Sequence, residues 1–117
     1  MNKYRIYHNP RCSKSRETLA LLEQNGVQPE IVEYLKTPLT PDEIKHLADM
    51  LHVAPRGIMR TKEAEYKAQN LADESLSDAA LINAIAKTPK LLERPIVVKG
   101  EQAVIGRPPE NVLTIID

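Results

Sequence analysis

The first third of the chain shows two patterns of apolar and polar positions in succession. Residues 4–8, YRIYH, alternate as a strand does. The turn sequence NPRC follows, and Ser13 or Ser15 offers an N-cap for a helix over RETLALLEQNG, which Gly26 ends. A second strand-like run, QPEIVEYL, comes next. The pattern therefore predicts a βαβ unit with parallel strands and a right-handed crossover.

The middle of the chain has the spacing of amphipathic helices. LTPDEIKHLADMLH begins with Thr40 as a predicted N-cap and Pro41 at the first helical position. TKEAEYKAQN is a more polar helical segment, and SDAALINAIAKTP repeats the capped pattern from Ser77 until Pro89 ends it. The sequence therefore predicts a helical block here.

The last part of the chain returns to short apolar runs. RPIVVKGEQAVIG places two of them around Gly100, which predicts an antiparallel β-hairpin, and a last helix should begin near Pro108 or Pro109. If about 38–91 is a helical insertion, the remaining order is β-α-β and then β-β-α. That order predicts an α/β, thioredoxin-like fold with a mixed sheet, in which residues 1–117 form a single domain.

Composition excludes several classes of function. With four Tyr and neither Trp nor Phe, the chain lacks an aromatic stacking surface for single-stranded nucleic acid. Sixteen basic and sixteen acidic residues give no net charge, which argues against general binding to nucleic acid or anionic membranes. No apolar run approaches the roughly 18 residues of a membrane span, and no signal peptide is evident. We expect a cytoplasmic protein.

Positive charge is concentrated around the only cysteine, Cys12. Before Glu17 the chain carries five cationic residues and no acidic one. A helix N-terminus and nearby cations stabilise a thiolate, each by about 0.3–1 kcal/mol, so that several together lower the pKa of the thiol below its ordinary value. A buried structural cysteine is the alternative. One cysteine forms no internal disulfide, and no Cys/His cluster is spaced for a metal.

Residues around Cys12 offer groups that bind an anion. A phosphatase-type loop needs Arg at position 18, where this chain has Thr18. Arg16 stands four residues after the cysteine, so that its guanidinium would lie one helical turn away and help hold an oxyanion. His8, at the end of the first strand, offers either positive charge or a hydrogen bond to this turn. A solvated Arg16 and a structural His8 remain alternatives.

Three further arginines stand at predicted element boundaries: Arg60, Arg94 and Arg107. The last two bracket the hairpin, which would bring both to the same end of the sheet. Arginine suits a tetrahedral oxyanion because its planar fork donates two parallel hydrogen bonds and stays charged. Singly, each is also explained as a surface or ion-pairing residue. Pro95 precedes an apolar strand, where trans is the default and cis would make a tight turn.

The segments YHNPRCSKSRETLALL, MRTKE, ERPIVV and IGRPPENV together closely resemble the ArsC-like arsenate reductase family, of the glutathione- and glutaredoxin-coupled type. The resemblance runs nearly end to end. It implies a thioredoxin-like fold with a helical insertion, Cys12 as nucleophile, His8 as a residue that favours its thiolate, and Pro95 as a cis-proline, with Ser15 a structural residue near the site. It also implies an oxyanion-binding set made of Arg60, Arg94 and Arg107. Asn9 and Arg16 fit the anion loop that surrounds this set.

The reaction implied by the resemblance is attack of the Cys12 thiolate on arsenate or a similar oxyanion, with loss of water. Glutathione, as co-substrate, then attacks, the adduct is reduced to arsenite, and glutaredoxin restores the thiol. No bound cofactor and no metal are implied, and we expect a monomer. Ser13 and Lys14 stand where well-established arsenic-resistance members tend to carry Gly-Thr. This places the chain in the branch called arsenate reductase by similarity and leaves its natural oxyanion open.

A binding module is the competing class. Related proteins of the Spx type use this fold to contact RNA polymerase and to sense redox state, commonly through a CxxC pair. Ser15 occupies the position of the second cysteine here, and a redox switch needs that second thiol, which disfavours this alternative. A glutathione-linked thiol oxidoreductase with another substrate is the third possibility.

Overall fold

Four strands form one mixed sheet in the computed structural model, which describes residues 3–116. They are β1 (Tyr4–Tyr7), β2 (Glu30–Val32), β3 (Ile96–Lys99) and β4 (Gln102–Ile105), in the order β2-β1-β3-β4. β1 pairs with β2 in parallel, and the other two pairings are antiparallel. This arrangement confirms the predicted α/β class, the βαβ unit, the hairpin and the thioredoxin-like topology.

The chain divides into two units, one of which contains the sheet. It comprises the residues up to Thr37 and those from Arg94 onward, and Pro38–Glu93 form the second unit. The second unit occupies the part of the chain predicted as a helical insertion. That the two behave as a single domain stays a prediction.

An aliphatic cluster holds helix α1 (Ser13–Gln24) on the sheet. Its buried members come from the sheet, from the helix and from the chain after the hairpin: Ile6, Leu22, Val27, Val97, Val112 and Ile115. Burying one such side chain stabilises a fold by about 1.5–3 kcal/mol. The cluster therefore packs α1 against the sheet, with the N-terminus of the helix next to the carboxyl end of β1.

The beginning of α1 differs from the sequence prediction. Cys12 is the N-cap residue, with extended backbone angles (φ −91°, ψ 123°), and neither Ser13 nor Ser15 caps the helix. Ser13 is the first helical residue, and the hydroxyl of Ser15 is used inside the preceding loop. At the other end, Gly26 follows the helix with φ +78°, which confirms it as the terminator.

The last helix begins where predicted but is a 3₁₀ helix, Pro109–Thr114. The N–H of Ile115 donates to the carbonyl oxygen of Val112 at 3.2 Å, three residues back. Six residues are many for a 3₁₀ helix, but an α-helix of that length would form few i to i−4 hydrogen bonds. The proline at its first position supplies no N–H.

The second unit consists of α2 (Pro41–Leu51), α3 (Ala64–Ala68) and α4 (Asp78–Lys87), with two short 3₁₀ segments. Thr40 caps α2, as predicted: its Oγ1 accepts the N–H of Glu43 at 3.2 Å, and the Glu43 carboxylate accepts the N–H of Thr40 at 3.0 Å. No helix within residues 3–116 is long and apolar enough to cross a membrane.

Candidate active site

The backbone of Cys12 both closes the loop after β1 and begins α1. Its N–H donates to the carbonyl oxygen of Asn9 at 3.0 Å, and its own carbonyl oxygen accepts the N–H of Arg16 at 3.0 Å. The side chain therefore projects from the N-cap position, and the cysteine is partly exposed. A sulfur in this position lies beside the free N–H groups of the first helical turn.

The β3–β4 hairpin brings two predicted arginines together at the end of the sheet nearest this sulfur. Pairing of Ile96 with Ile105 places Arg94 just before one strand and Arg107 just after the other. Arg107 Nε donates to the carbonyl oxygen of Arg94 at 2.7 Å, and Arg107 Nη2 lies 3.5 Å from Cys12 Sγ. The prediction that the hairpin groups these arginines is confirmed, and one guanidinium directly contacts the thiol.

The pKa of the Cys12 thiol is lowered, although its partial burial acts in the opposite direction. Burial raises the pKa, but the backbone N–H of Ser15, the charge of Arg94, the N–H of Lys14 and the charge of Arg107 together outweigh it. No capping hydrogen bond to the sulfur is formed, so the two amides act as nearby oriented dipoles. The arrangement increases the thiolate population at neutral pH, and the thiolate is the nucleophilic form.

A buried hydrogen-bond network fixes the loop that leads to Cys12. Ser15 Oγ, which has no exposed surface, accepts the N–H of Asn9 at 3.0 Å and lies 2.7 Å from His8 Nδ1. We assign the Ser15 O–H as the donor and His8 Nδ1 as the acceptor, so that the ring proton of the neutral imidazole lies on Nε2. Asn9 Oδ1 in turn accepts the N–H of Arg11 at 3.0 Å. The loop before Cys12 is thus bonded to Ser15 in the first turn of α1.

His8 contributes a hydrogen bond to this turn and is held neutral. Burial lowers the pKa of its imidazole, and Arg16 lowers it further, against the raising effect of Glu33. Of the two roles that the sequence offered for His8, positive charge or hydrogen bonding, the structure shows the hydrogen bond. The implied effect of His8 on the thiolate stays a prediction.

Arg16 and Arg60, the other predicted oxyanion ligands with guanidinium groups, have partners of their own. Arg16 is exposed and donates from Nη1 to the carbonyl oxygen of Pro10 at 2.9 Å, across the loop. Arg60 lies in the second unit, where its Nε is 2.9 Å from Glu63 Oε1 and its Nη1 is 3.4 Å from Glu93 Oε1. Oxyanion binding by these arginines and by Asn9 stays a prediction.

The peptide bond between Arg94 and Pro95 is cis, as the resemblance implied. A second cis bond, between Arg107 and Pro108, was not predicted. Pro95 is buried, and its carbonyl oxygen accepts the N–H of Gly106 at 2.9 Å. This bond ties together the two chain segments that carry the arginines.

Sequence reasoning missed the contact between α1 and the segment before Arg107. Thr18 is fully buried; its hydroxyl donates to the carbonyl oxygen of Lys14 at 2.8 Å, with the carbonyl oxygen of Gly106 at 3.3 Å. A Cβ on Gly106 would lie 2.6 Å from Thr18 Oγ1 and 2.8 Å from Pro95 Cγ. The available signals were a polar Thr on the apolar stripe of a helix and a glycine next to an arginine. Neither signal identifies its partner.

Comparison with known proteins decides the family. The model of the ArsC family matches residues 7–115. The chain belongs to the ArsC family.

Three similar proteins illustrate the relationship. YfgD of Escherichia coli K-12, whose function is uncharacterized, is 58% identical over 96% of this chain and 95% of its own length. An arsenate reductase of Haemophilus influenzae is 52% identical over 95% of this chain and 97% of its own. The solved structure of an arsenate reductase from Vibrio cholerae has a TM-score of 0.96 and 54% identity, covering 97% of this chain and 98% of that one.

In this ArsC-family chain, the first unit thus presents a thiol with a lowered pKa next to a guanidinium that stays charged at all relevant pH values. Such a pair attracts an anion and offers it a nucleophile at the same point. Cys12, Arg94 and Arg107 are the predicted site residues that the structure brings together there.

Proposed function

We propose that this chain is a cysteine-based oxidoreductase that reduces arsenate, or a related oxyanion, to arsenite. The observation that carries the proposal is the position of Cys12 Sγ at the N-terminus of α1, 3.5 Å from Arg107 Nη2. The arsenate reductases of Haemophilus influenzae and Vibrio cholerae, at 52% and 54% identity, support the choice of oxyanion. The helix N-terminus and the guanidinium supply the charge that such a substrate needs.

In the proposed first step, the Cys12 thiolate attacks the arsenic atom of arsenate. A sulfur–arsenic bond forms, one arsenic–oxygen bond breaks, and the released oxygen takes up protons and leaves as water. Arg107, with the backbone amides of Lys14 and Ser15, lies where negative charge is gathered in this step. Arsenic is still in its pentavalent state after this step.

The two electrons for the reduction must come from outside, because the chain has a single cysteine. We propose that the thiol of glutathione displaces a second oxygen, again as water, and forms a second sulfur–arsenic bond. A glutaredoxin thiolate then attacks the glutathione sulfur; a disulfide forms, and the bonding pair passes to arsenic, which becomes trivalent. Water finally releases arsenite and returns Cys12 as a thiol.

The proposed reaction consumes glutathione, which keeps thiols reduced in the cytosol, and it is therefore consistent with the expected cytoplasmic location. We also propose that the protein works as a monomer and needs no bound cofactor or metal. Size-exclusion chromatography at micromolar concentration tests the monomer.

A coupled assay tests the reductase. Purified protein is given arsenate, glutathione and glutaredoxin. A second glutathione frees glutaredoxin from its mixed disulfide as glutathione disulfide, and the NADPH that glutathione reductase consumes to reduce this disulfide reports turnover. We expect Cys12→Ser to fall to the uncatalysed rate and Arg107→Ala to lose at least about tenfold in kcat/KM, as expected when a charge-stabilising donor is removed. The control is Arg5→Ala, since Arg5 is an exposed arginine of the same unit, 3.0 Å from Glu30.

Equal rates in all of these variants would reject the proposed site. No turnover in the native chain, together with stoichiometric co-purification of an RNA polymerase subunit, would instead favour the binding module.

A further inference from the structure

An open cavity of about 260 Å³ lies at the carboxyl ends of the parallel strands β1 and β2, against the loop that leads to Cys12. One wall is the segment from His8 to Arg11, and the other contains Glu33, Leu35 and Lys36. All of these residues belong to the first unit. Loops at the carboxyl ends of parallel strands are a common place for ligands in α/β proteins.

The cavity is close to the proposed nucleophile. The hydrogen bond from Cys12 N–H to the carbonyl oxygen of Asn9, at 3.0 Å, closes a four-residue turn. The Cα atoms at the two ends of such a turn are within about 7 Å of each other. Asn9 lines the cavity, so the Cα of one lining residue lies within about 7 Å of the Cα of Cys12. A tripeptide spans about 10 Å when extended, which bridges that distance.

The walls combine apolar surface with charges of both signs. Leu35 is 44% exposed although it is a large aliphatic residue, and Pro10 is exposed on the facing wall. The charged groups are Arg11, Lys36 and Glu33; Lys36 Nζ lies 3.4 Å from Glu33 Oε1. These are two cations, one of which is paired with the single anion, on partly apolar walls. A complementary ligand carries two carboxylates, one ammonium group and an aliphatic body.

We infer that this cavity binds the thiol donor of the reaction, a short peptide with two carboxylates and one ammonium group, as glutathione has. This inference rests on the proposed function, since that function requires an external thiol next to Cys12. Arg11 and Lys36 receive the carboxylates, Glu33 receives the ammonium group, and Leu35 covers the aliphatic part. The bound peptide's thiol then faces the adduct formed on Cys12, one loop away.

The test uses S-methylglutathione, which keeps every charged group of glutathione but has no free thiol. It is titrated into the ¹⁵N-labelled native chain, and amide shifts are followed by NMR. We expect the shifts to concentrate at Asn9, Leu35 and Lys36. Lys36→Glu should weaken the Kd at least about fivefold, which corresponds to about 1 kcal/mol at 1.4 kcal/mol per decade.

Lys45→Glu is the matched control. Lys45 is also an exposed lysine in a local ion pair, 3.9 Å from Asp49, but it does not line this cavity. It should change the Kd less than twofold. In the coupled assay, Lys36→Glu should raise the KM for glutathione by a similar factor and leave the KM for arsenate unchanged.

The outcomes separate this inference from the proposed function. Shifts confined to another surface, or equal Kd values for the Lys36 and Lys45 variants, overturn the cavity as the thiol site even if arsenate is reduced. Binding at the cavity with the expected loss in Lys36→Glu, but without arsenate turnover, supports the thiol site and overturns the proposed oxyanion.

Discussion

Arg107 holds two positions at once: its Nε donates to the carbonyl oxygen of Arg94 at 2.7 Å, while its Nη2 lies 3.5 Å from Cys12 Sγ. The first bond orients the guanidinium plane, so that the second contact does not depend on a freely rotating side chain. Arginine is the only residue type whose fork permits this, because lysine carries a single charged nitrogen. The thiol at the start of α1 is thus connected to the end of the hairpin by one side chain.

The role of this fork predicts a difference between two substitutions of Arg107. Arg107→Lys keeps the positive charge but loses the fork that bonds the Arg94 carbonyl, whereas Arg107→Ala loses both. We expect the lysine variant to keep most of the lowering of the Cys12 pKa and to lose several-fold in kcat/KM for the oxyanion, because bidentate recognition is lost. Steady-state kinetics with arsenate measure this. Identical kcat/KM for Arg107→Lys and the native chain would show that the fork has no role.

His8 should titrate below the ordinary histidine value of about 6.5, because burial and Arg16 lower its pKa. A pH series of NMR spectra of the imidazole groups measures this directly. The same spectra report the tautomer, which we expect to be Nε2–H. Titration of His8 at or above 6.5 would contradict the assignment of a neutral, hydrogen-bonding residue.

Removing the hydroxyl of Ser15 should destabilise the fold. Ser15→Ala leaves the N–H of Asn9 and the Nδ1 of His8 without their buried partner, which costs about 1–3 kcal/mol of the free energy of unfolding. Ser13→Ala is the control, since Ser13 is exposed and makes no capping bond, and it should change stability by less than about 0.5 kcal/mol. Urea unfolding followed by circular dichroism compares them. Equal losses would show that the buried network does not stabilise the loop.

Gly106 should not accept a side chain. The Cβ of Gly106→Ala would lie 2.6 Å from Thr18 Oγ1, and such overpacking costs about 1–3 kcal/mol. Combining it with Thr18→Ala removes one of the two clashing groups, so the double variant should lose less than the sum of the single losses. Thermal unfolding of the four proteins in this cycle gives the coupling. If the losses of stability in the two single variants summed to the loss in the double variant, the added Cβ and Thr18 would not be in steric conflict.

Much of the fold was predictable because local signals agreed with the tertiary structure. Thr40 caps α2, Gly26 ends α1, and the runs around Gly100 form the hairpin, each as the sequence indicated. These signals depend on neighbours a few residues away. The N-cap of α1 was predicted wrongly because Ser13 and Ser15 have better capping propensity than Cys12, but the hydroxyl of Ser15 bonds His8 instead.

The site was predictable in part. The hairpin pattern alone grouped Arg94 with Arg107, because antiparallel strands place their outer flanks together. The contact of Thr18 with Gly106 spans 88 positions, and no local pattern encodes such a contact. The contact of Arg60 with Glu93 was likewise invisible, since Glu93 is 33 positions away, whereas its other partner, Glu63, is a local i,i+3 neighbour.

The stability of the chain should depend on pH through Cys12. Because the folded-state pKa of this thiol is lowered, the folded chain releases the proton more readily than the unfolded chain. Relative to Cys12→Ser, the free energy of unfolding should therefore rise as pH increases from the folded-state pKa to about 8.5 and then level off. Urea titrations from pH 5 to about 9.5 under reducing conditions measure it. If the free energy of unfolding of the native chain, relative to Cys12→Ser, fell with pH over this range, the folded state would favour the protonated thiol, which would contradict a lowered pKa.

The pKa of the Cys12 thiol tests most directly whether the helix amides and Arg107 stabilise its thiolate. It is obtained from the rate of iodoacetamide alkylation as a function of pH. The single cysteine makes the readout unambiguous, since no other thiol in the chain reacts. We predict a pKa below the ordinary value of about 8.5 in the native chain and a higher one in Arg107→Ala. A pKa at or above 8.5 in the native chain, unchanged in the variant, would contradict a thiolate held by the helix amides and the guanidinium.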